Sequence, residues 1–341
     1  MPLPLNFVGD YEFEVEKVKR EVVERGAKKI LLQFPDGLKK YSLWIADELS
    51  GVADVFISGS HTWGPCDVDV VGARAVGADL IVHFGHNPLT LHATVCGVNV
   101  LFVPAFSNIR LEEGLKRALK LLNGLNRVGL VASVQHVPLL SEIKEELTKR
   151  GLKAFIGKPD ELGMFKGQVL GCNYSAALSV RDKVDGYLCI AGGLFHAIGL
   201  ALISKKRVIS LDPYSGKASE VHENCQRLVR KRLYSLMRAM EARRFAIVLS
   251  TKVGQLNLVE ASKIKKELER RGLSAKIVVV DEVRISELLN FVWPQVFIIT
   301  ACPRIALDYM DECPIPLINK GEVKYILRGN LEDYDPSAAL L

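Results

Sequence analysis

Three stretches of this 341-residue chain follow one pattern, and that repetition limits the fold more than any other feature. Each has a basic start, an apolar strand, a polar loop, an amphipathic helix, a glycine stop and a second strand. The first starts at Lys28 (KKILLQ), passes through a helix to Asp47-Glu48-Leu49-Ser50-Gly51 and returns at 53–57. The second starts at Asn126 (NRVGLVAS), reaches Glu146-Leu147-Thr148-Lys149-Arg150-Gly151 and returns at 154–156. The third starts at Arg243 (RRFAIVLS), reaches Glu267-Leu268-Glu269-Arg270-Arg271-Gly272 and returns at 276–280. Short aliphatic and β-branched runs of this kind are strands buried on both faces. The helices place apolar residues three and four apart, as at Leu258, Ala261, Ile264 and Leu268. Basic residues in the last turn suit the negative end of the helix dipole, and glycine takes the left-handed cap. A strand, a crossover helix and a parallel return build α/β layers. The expected fold is α/β: three similar α/β domains with parallel sheets around a shared centre, at 1–106, 107–214 and 215–341.

Such a fold needs a large core. Apolar residues are 49% of the chain, charged residues 25%, and Gly and Pro together only 41 positions, which excludes disordered, collagen-like and low-complexity classes. A net charge of +6 is a weak excess for this length and does not mark a dedicated nucleic-acid binder. Residues 1–10 lack the basic and apolar regions of a secretory signal. Residues 186–204 carry no formal charge, but Gly192-Gly193 divides them. They read as a strand at 187–191, a glycine turn and an apolar helix from Leu194 rather than as a membrane span. The expectation is a soluble protein without a membrane segment.

Seven cysteines, an odd number and never spaced as CxxC, argue against a disulfide framework and for a reducing cytoplasm. Three of them follow the glycine stops: Cys66 by 15 residues, Cys172 by 21 and Cys302 by 30. Their contexts are Gly64-Pro65-Cys66-Asp67, Gly171-Cys172-Asn173 and Ala301-Cys302-Pro303-Arg304. These are strand-end loops, where open α/β sheets place their ligands. Three repeats packed about an axis bring three such loops to its centre, and three thiolates there can hold an iron–sulfur cluster with one iron left open. Cys189 lies in an apolar strand and reads as a buried small hydrophobe; Cys96, Cys225 and Cys313 have no repeat equivalents and are read the same way.

Motifs along nearly the whole chain sharpen this. Leu32-Gln33-Phe34-Pro35-Asp36-Gly37-Leu38, His83-Phe84-Gly85-His86, Phe102-Val103-Pro104-Ala105-Phe106, Gly167-Gln168-Val169-Leu170-Gly171-Cys172-Asn173, Phe195-His196, Leu211-Asp212-Pro213-Tyr214 and Ala301-Cys302-Pro303-Arg304 occur in that order. In these the chain resembles the archaeal diphthamide synthase family, the 2-(3-amino-3-carboxypropyl)histidine synthases. The family's first cysteine usually follows Tyr-Gly-Ala; here it follows Trp63-Gly64-Pro65, a different loop around the same thiol. The resemblance implies a homodimer of three-domain subunits with a [4Fe–4S] cluster on Cys66, Cys172 and Cys302, and S-adenosylmethionine bound near the open iron. It implies cleavage of the bond between sulfur and the methionine γ-carbon. The 3-amino-3-carboxypropyl group then passes to imidazole C2 of one histidine in translation elongation factor 2, with release of methylthioadenosine and with an electron donor feeding the cluster.

Candidate substrate contacts follow from the same pattern. Gln33 and Gln255 are expected in the polar loops after the first strands of repeats one and three, where they offer uncharged hydrogen bonds to the adenosine or the amino acid end, or cap their loops. His83 and His86 close the strand at 79–84 and can donate to a carboxylate or relay a proton. His61, His83, His86 and His92 around Cys66 also leave open a zinc site. His196 sits at a helix start, an anion site suited to the methionine carboxylate, or one where glycine only allows close packing. Arg304 can grip a carboxylate, tune the cluster or form an ion pair. Asp212-Pro213 reads as a turn after a strand at 208–211. Residues 226–244 carry seven basic residues against Glu241, with Leu233, Leu236, Met237 and Met240 at helical spacing: an amphipathic helix with a solvated basic face, or one that meets an acidic partner. Two other classes remain open at this level, a quinolinate-synthase-like three-cysteine enzyme and an electron-relay or scaffold subunit.

Overall fold

The computed structural model describes residues 7–88, 94–160 and 163–341, and every expected repeat strand is present in it. The first sheet holds β1 (Lys29–Gln33), β2 (Asp54–Ile57), β3 (Leu80–Phe84), β4 (Thr94–Val95) and β5 (Val98–Val103), in the order β2-β1-β3-β5-β4. The second holds β6 (Arg127–Ala132), β7 (Lys153–Phe155), β8 (Gly186–Ile190), β9 (Arg207–Leu211) and β10 (Ala218–Glu220), ordered β7-β6-β8-β9-β10. The third holds β11 (Arg244–Ser250), β12 (Ser274–Val280), β13 (Val296–Ile299) and β14 (Leu317–Asn319), ordered β12-β11-β13-β14. In all three the opening strand lies between its return strand and a third strand, both parallel to it. The crossover helices are α1 (Ser42–Leu49), α2 (Leu139–Lys149) and α3 (Leu258–Arg270). Burial explains the strand composition: the adjacent residues Leu31 and Leu32, Leu130 and Val131, and Ile247 and Val248, which point to opposite faces, are all buried, so both faces of each opening strand are core.

A second repeated device fixes the register. The residue just before each third strand receives the two backbone N–H groups that start the opening strand. Asp79 Oδ2 accepts from Lys28 and Lys29, both at 2.9 Å. Asp185 Oδ2 accepts from Asn126 at 3.1 Å and Arg127 at 2.9 Å. Gln295 Oε1 accepts from Arg243 at 2.8 Å and Arg244 at 3.1 Å. These side chains satisfy strand-start donors that the ladder leaves unpaired.

Several local expectations need correction. Gly151 and Gly272 take the left-handed cap, with φ of 83° and 73°, but Gly51 does not: α1 ends instead on a right-handed Ser50. Basic residues close α2 and α3 but not α1. Leu258 is exposed, because α3 buries only Ala261, Ile264 and Leu268. The basic helix runs His222–Met240, so Arg243 and Arg244 lie beyond it, and Arg232 turns inward to a buried pair with Glu322 rather than joining the solvated face. Met237 is exposed, and Cys96 is exposed rather than buried. The uncharged stretch at 186–204 is β8 followed by a helix at Phe195–Ser204, and no described helix is long and apolar enough to cross a membrane.

The chain forms two compact units. One comprises Met1–Val169, Ser175–Leu194 and Ile209–Ser219; the other comprises Leu170–Tyr174, Phe195–Val208 and Glu220–Leu341. Cys172 and His196, which the repeat pattern assigned to the second repeat, therefore belong to the same compact unit as the third sheet.

Candidate functional site

In the first unit, Cys66 lies half-buried in a turn closed by Asp67 N–H donating to Gly64 O at 3.0 Å. The Asp67 carboxylate holds the backbone N–H of Trp63 at 3.2 Å, so the Trp63-Gly64-Pro65 sequence forms a braced loop. Gln33, the wholly buried last residue of β1, ties this loop to the sheet. Its Nε2 donates to Thr62 Oγ1 at 3.1 Å and to Asp67 O at 2.6 Å, and its Oε1 accepts from Asp69 N–H at 3.0 Å. His83 Nδ1 faces the same Oε1 at 3.0 Å, and His83 Nε2 meets His86 Nδ1 at 2.9 Å. Burial holds the His83 imidazole well below its ordinary pKa, and pushes His86 down to about 4. Both nitrogens of His83 are thus spent inside the protein, and His86 keeps one for a ligand. Asn87 and Gln168 exchange two amide hydrogen bonds, at 3.0 and 2.6 Å, which gives the glutamine of the GQVLGCN motif a structural role.

In the second unit, Cys172 is exposed in a turn bridged between Leu170 and Asn173, and Cys302 is half-buried just before the helix Arg304–Asp308. Burial pushes the Cys302 thiol up to about 11; the neighbouring Cys172 adds to that, and the Arg304 backbone N–H opposes it. Arg304 lies 3.7 Å over the Phe195 ring and pairs with Asp308 at 2.8 Å, so the ion-pair reading of this arginine holds in the structure. His196 is the second residue of the helix Phe195–Ser204, its Nδ1 buried without a hydrogen-bond partner and its pKa lowered to about 4 by burial and then by Arg304. Gln255 is buried in the turn after β11, its N–H on Lys252 O at 2.9 Å.

The cysteine pair has the chemistry of a metal ligand set. None of the seven cysteines is in a disulfide, and a charge on Cys172 raises the Cys302 thiol further. A cationic metal centre removes that conflict, because it deprotonates coordinating thiols and neutralises the resulting charge. This fits the cluster that the sequence resemblance implies, whose irons take thiolates from separate loops. Among the described residues no three His, Cys, Asp or Glu side chains gather as ligands of one metal ion, and His92 of the zinc reading lies outside the described residues.

Sequence reasoning missed Thr62 and Asp69, which complete the polar cradle of Gln33, and Phe195 as the platform of Arg304; nothing in spacing or composition marks such partners. It also passed over His136, wholly buried with neither ring nitrogen hydrogen-bonded, packed edge-on against Tyr214 at 5.4 Å. Asp212 does more than turn the chain: it accepts from the backbone of Tyr214 at 2.9 Å, Ser215 at 3.2 Å and Gly193 at 3.3 Å.

Comparison with known proteins agrees with these features. The sequence model described as "Putative diphthamide synthesis protein" matches residues 34–335. The chain is 35% identical over 331 residues to a 2-(3-amino-3-carboxypropyl)histidine synthase of Pyrococcus horikoshii, covering 95% of this chain and 93% of that one. It is 28% identical to subunit 1 of the corresponding synthase of Saccharomyces cerevisiae, covering 96% of this chain and 78% of the yeast one. A crystal structure of Dph2 from Pyrococcus horikoshii with a 4Fe-4S cluster superimposes with a TM-score of 0.85 at 33% identity, covering 96% of this chain and 94% of that one.

Proposed function

The chain belongs to the family of putative diphthamide synthesis proteins, and from that premise we propose that it makes 2-(3-amino-3-carboxypropyl)histidine, the first step of diphthamide synthesis. The substrates are S-adenosylmethionine and one histidine of translation elongation factor 2, and the nucleoside product is methylthioadenosine. The observation that carries this reading is the pairing of Cys172 and Cys302, neither in a disulfide, on two loops of one compact unit beside Arg304.

Cys66, Cys172 and Cys302 are the proposed ligands of a [4Fe–4S] cluster, which when bound supplies an open iron and the electron for radical cleavage of the bond between sulfur and the γ-carbon. The chain's own residues position the substrate. His196, at the start of its helix beside Arg304, suits the methionine carboxylate. Gln33 holds the Cys66 loop rather than the substrate, since all its hydrogen-bonding positions are filled. Gln255 lines the turn after β11 and offers an uncharged contact. Pose selects which of three carbon–sulfur bonds breaks, so these residues govern selectivity as well as rate. The reading extends to three domains at 1–106, 107–214 and 215–341, supported by the three sheets of like order. It extends also to the homodimer and external electron donor that the family resemblance implies, and to a cytoplasmic setting, which suits cysteines that form no disulfide.

Anaerobic purification tests this. The protein should carry about four irons and four acid-labile sulfides per chain, as the cluster type requires. Stoichiometric zinc without sulfide contradicts the assignment.

A further inference from the structure

The hydrogen bonds around Gln33 have a direction, and that direction reaches His86. The Asp69 backbone N–H can only donate and the Asp67 carbonyl can only accept, so the Gln33 amide has one possible orientation, with Oε1 toward Asp69 at 3.0 Å and Nε2 toward Asp67 at 2.6 Å. Oε1 carries no proton, and therefore His83 Nδ1, 3.0 Å away, must donate to it. A neutral imidazole has one N–H, so His83 Nε2 presents a lone pair. His86 Nδ1, at 2.9 Å, must in turn donate. Burial keeps this second ring neutral too, its pKa lowered to about 4. His86 Nε2 is left with a lone pair and no proton, and it has no hydrogen-bond partner among the described residues. It stands just past the carboxyl end of β3, where parallel sheets bind ligands.

Resting on the function proposed above, we infer that His86 Nε2 is a fixed hydrogen-bond acceptor and that it receives the α-ammonium group of S-adenosylmethionine. A carboxylate or phosphate oxygen is itself an acceptor and is refused at this nitrogen, which rules out the donation to a carboxylate expected from sequence. The ligand group must bring its own N–H. Two neutral imidazoles do not repel a cation, and the loop they brace carries the carboxylates of Asp67 and Asp69. The α-ammonium is the only fully charged N–H donor of S-adenosylmethionine, and charge-assisted hydrogen bonds are the strong ones.

The test is equilibrium binding to the anaerobic holoenzyme of three probes: S-adenosylmethionine, its analogue with hydrogen in place of the α-amino group, and methylthioadenosine. The wild type should bind S-adenosylmethionine about 10- to 100-fold tighter than the deamino analogue, the range of one hydrogen bond to a charged group. His86→Phe should bind the two alike, with methylthioadenosine affinity and the cluster absorbance unchanged. His86→Gln, whose amide offers both a donor and an acceptor, should keep part of the preference. The inference falls if the wild type fails to discriminate, if His86→Phe still discriminates, or if His86→Phe loses methylthioadenosine equally. A wild-type holoenzyme that binds none of the three overturns the proposed function itself, a result distinct from those.

Discussion

The guanidinium of Arg304 lies 3.7 Å above the ring of Phe195, with its Nε and Nη2 on the Asp308 carboxylate at 2.9 and 2.8 Å. The stack ties the loop after Cys302 to the helix that carries His196. It also reaches Gly171, the neighbour of Cys172: a Cβ on Gly171 would lie 2.4 Å from Phe195 Cε1 and 3.2 Å from Arg304 Cδ. Gly171→Ala should therefore displace the stack, cost about 1–3 kcal/mol as overpacking does, and lower iron retained per chain. Urea unfolding and iron analysis check this; unchanged values for both would show that the stack has slack.

The cysteines should separate into two groups. Cys66→Ala, Cys172→Ala and Cys302→Ala should each lose or degrade the cluster and abolish transfer. Cys189 is wholly buried with its thiol pushed up to about 12, and Cys189→Ala should cost only stability, about 1 kcal/mol by the loss of one buried group. Absorption spectra and sulfide assays distinguish the groups. Full activity in any of the first three variants rejects that residue as a ligand.

Arg232 and Glu322 form a buried pair, with Arg232 Nε on Glu322 Oε1 at 3.0 Å and Arg232 Nη1 on Ala306 O at 3.1 Å, in the helix after Cys302. Glu322 also accepts from Tyr334 Oη at 2.9 Å and from the Asn319 backbone at 3.0 Å. Arg232→Met strands a buried carboxylate and should cost about 3–5 kcal/mol. Denaturant titration measures it, and a loss below about 1 kcal/mol would mean that water or relaxation rescues Glu322.

His136 makes stability depend on pH. Burial lowers its pKa from 6.5 to about 4, against a smaller opposing pull from Asp212. The unfolded chain therefore binds more protons between those values, and stability falls as pH drops from about 6.5 to about 4, then levels off. The shift amounts to about 3 kcal/mol over that window. His136→Gln should flatten that part of the profile, as shown by urea midpoints at pH 7 and pH 4.5. A parallel pH dependence in the variant would assign the effect to other groups.

Much of the fold was legible because a doubly buried strand and a crossover helix write themselves in local composition. The runs at Lys29–Gln33, Arg127–Ala132 and Arg244–Ser250 are apolar because both faces pack. The common anchoring by Asp79, Asp185 and Gln295 was not legible: one amide among two carboxylates does the same work through a single oxygen, and spacing does not reveal it. The inward turn of Arg232 was hidden for a similar reason. Its partner lies 90 positions away, and in a basic helix an arginine facing solvent and one facing a carboxylate look alike. Of the site, the cysteine loops stood out through the repeat and the motifs. The roles of Gln33 and His83 emerged only with their partners Thr62, Asp67 and Asp69, which decide that both residues brace the loop.

The most direct measurement is the fate of S-adenosylmethionine when the dithionite-reduced, anaerobically purified protein meets elongation factor 2. The account predicts methylthioadenosine in amounts matching an aminocarboxypropyl group gained on one histidine of the factor, read by nucleoside chromatography and peptide mass spectrometry. Release of mainly 5′-deoxyadenosine, or an unmodified factor, would contradict it.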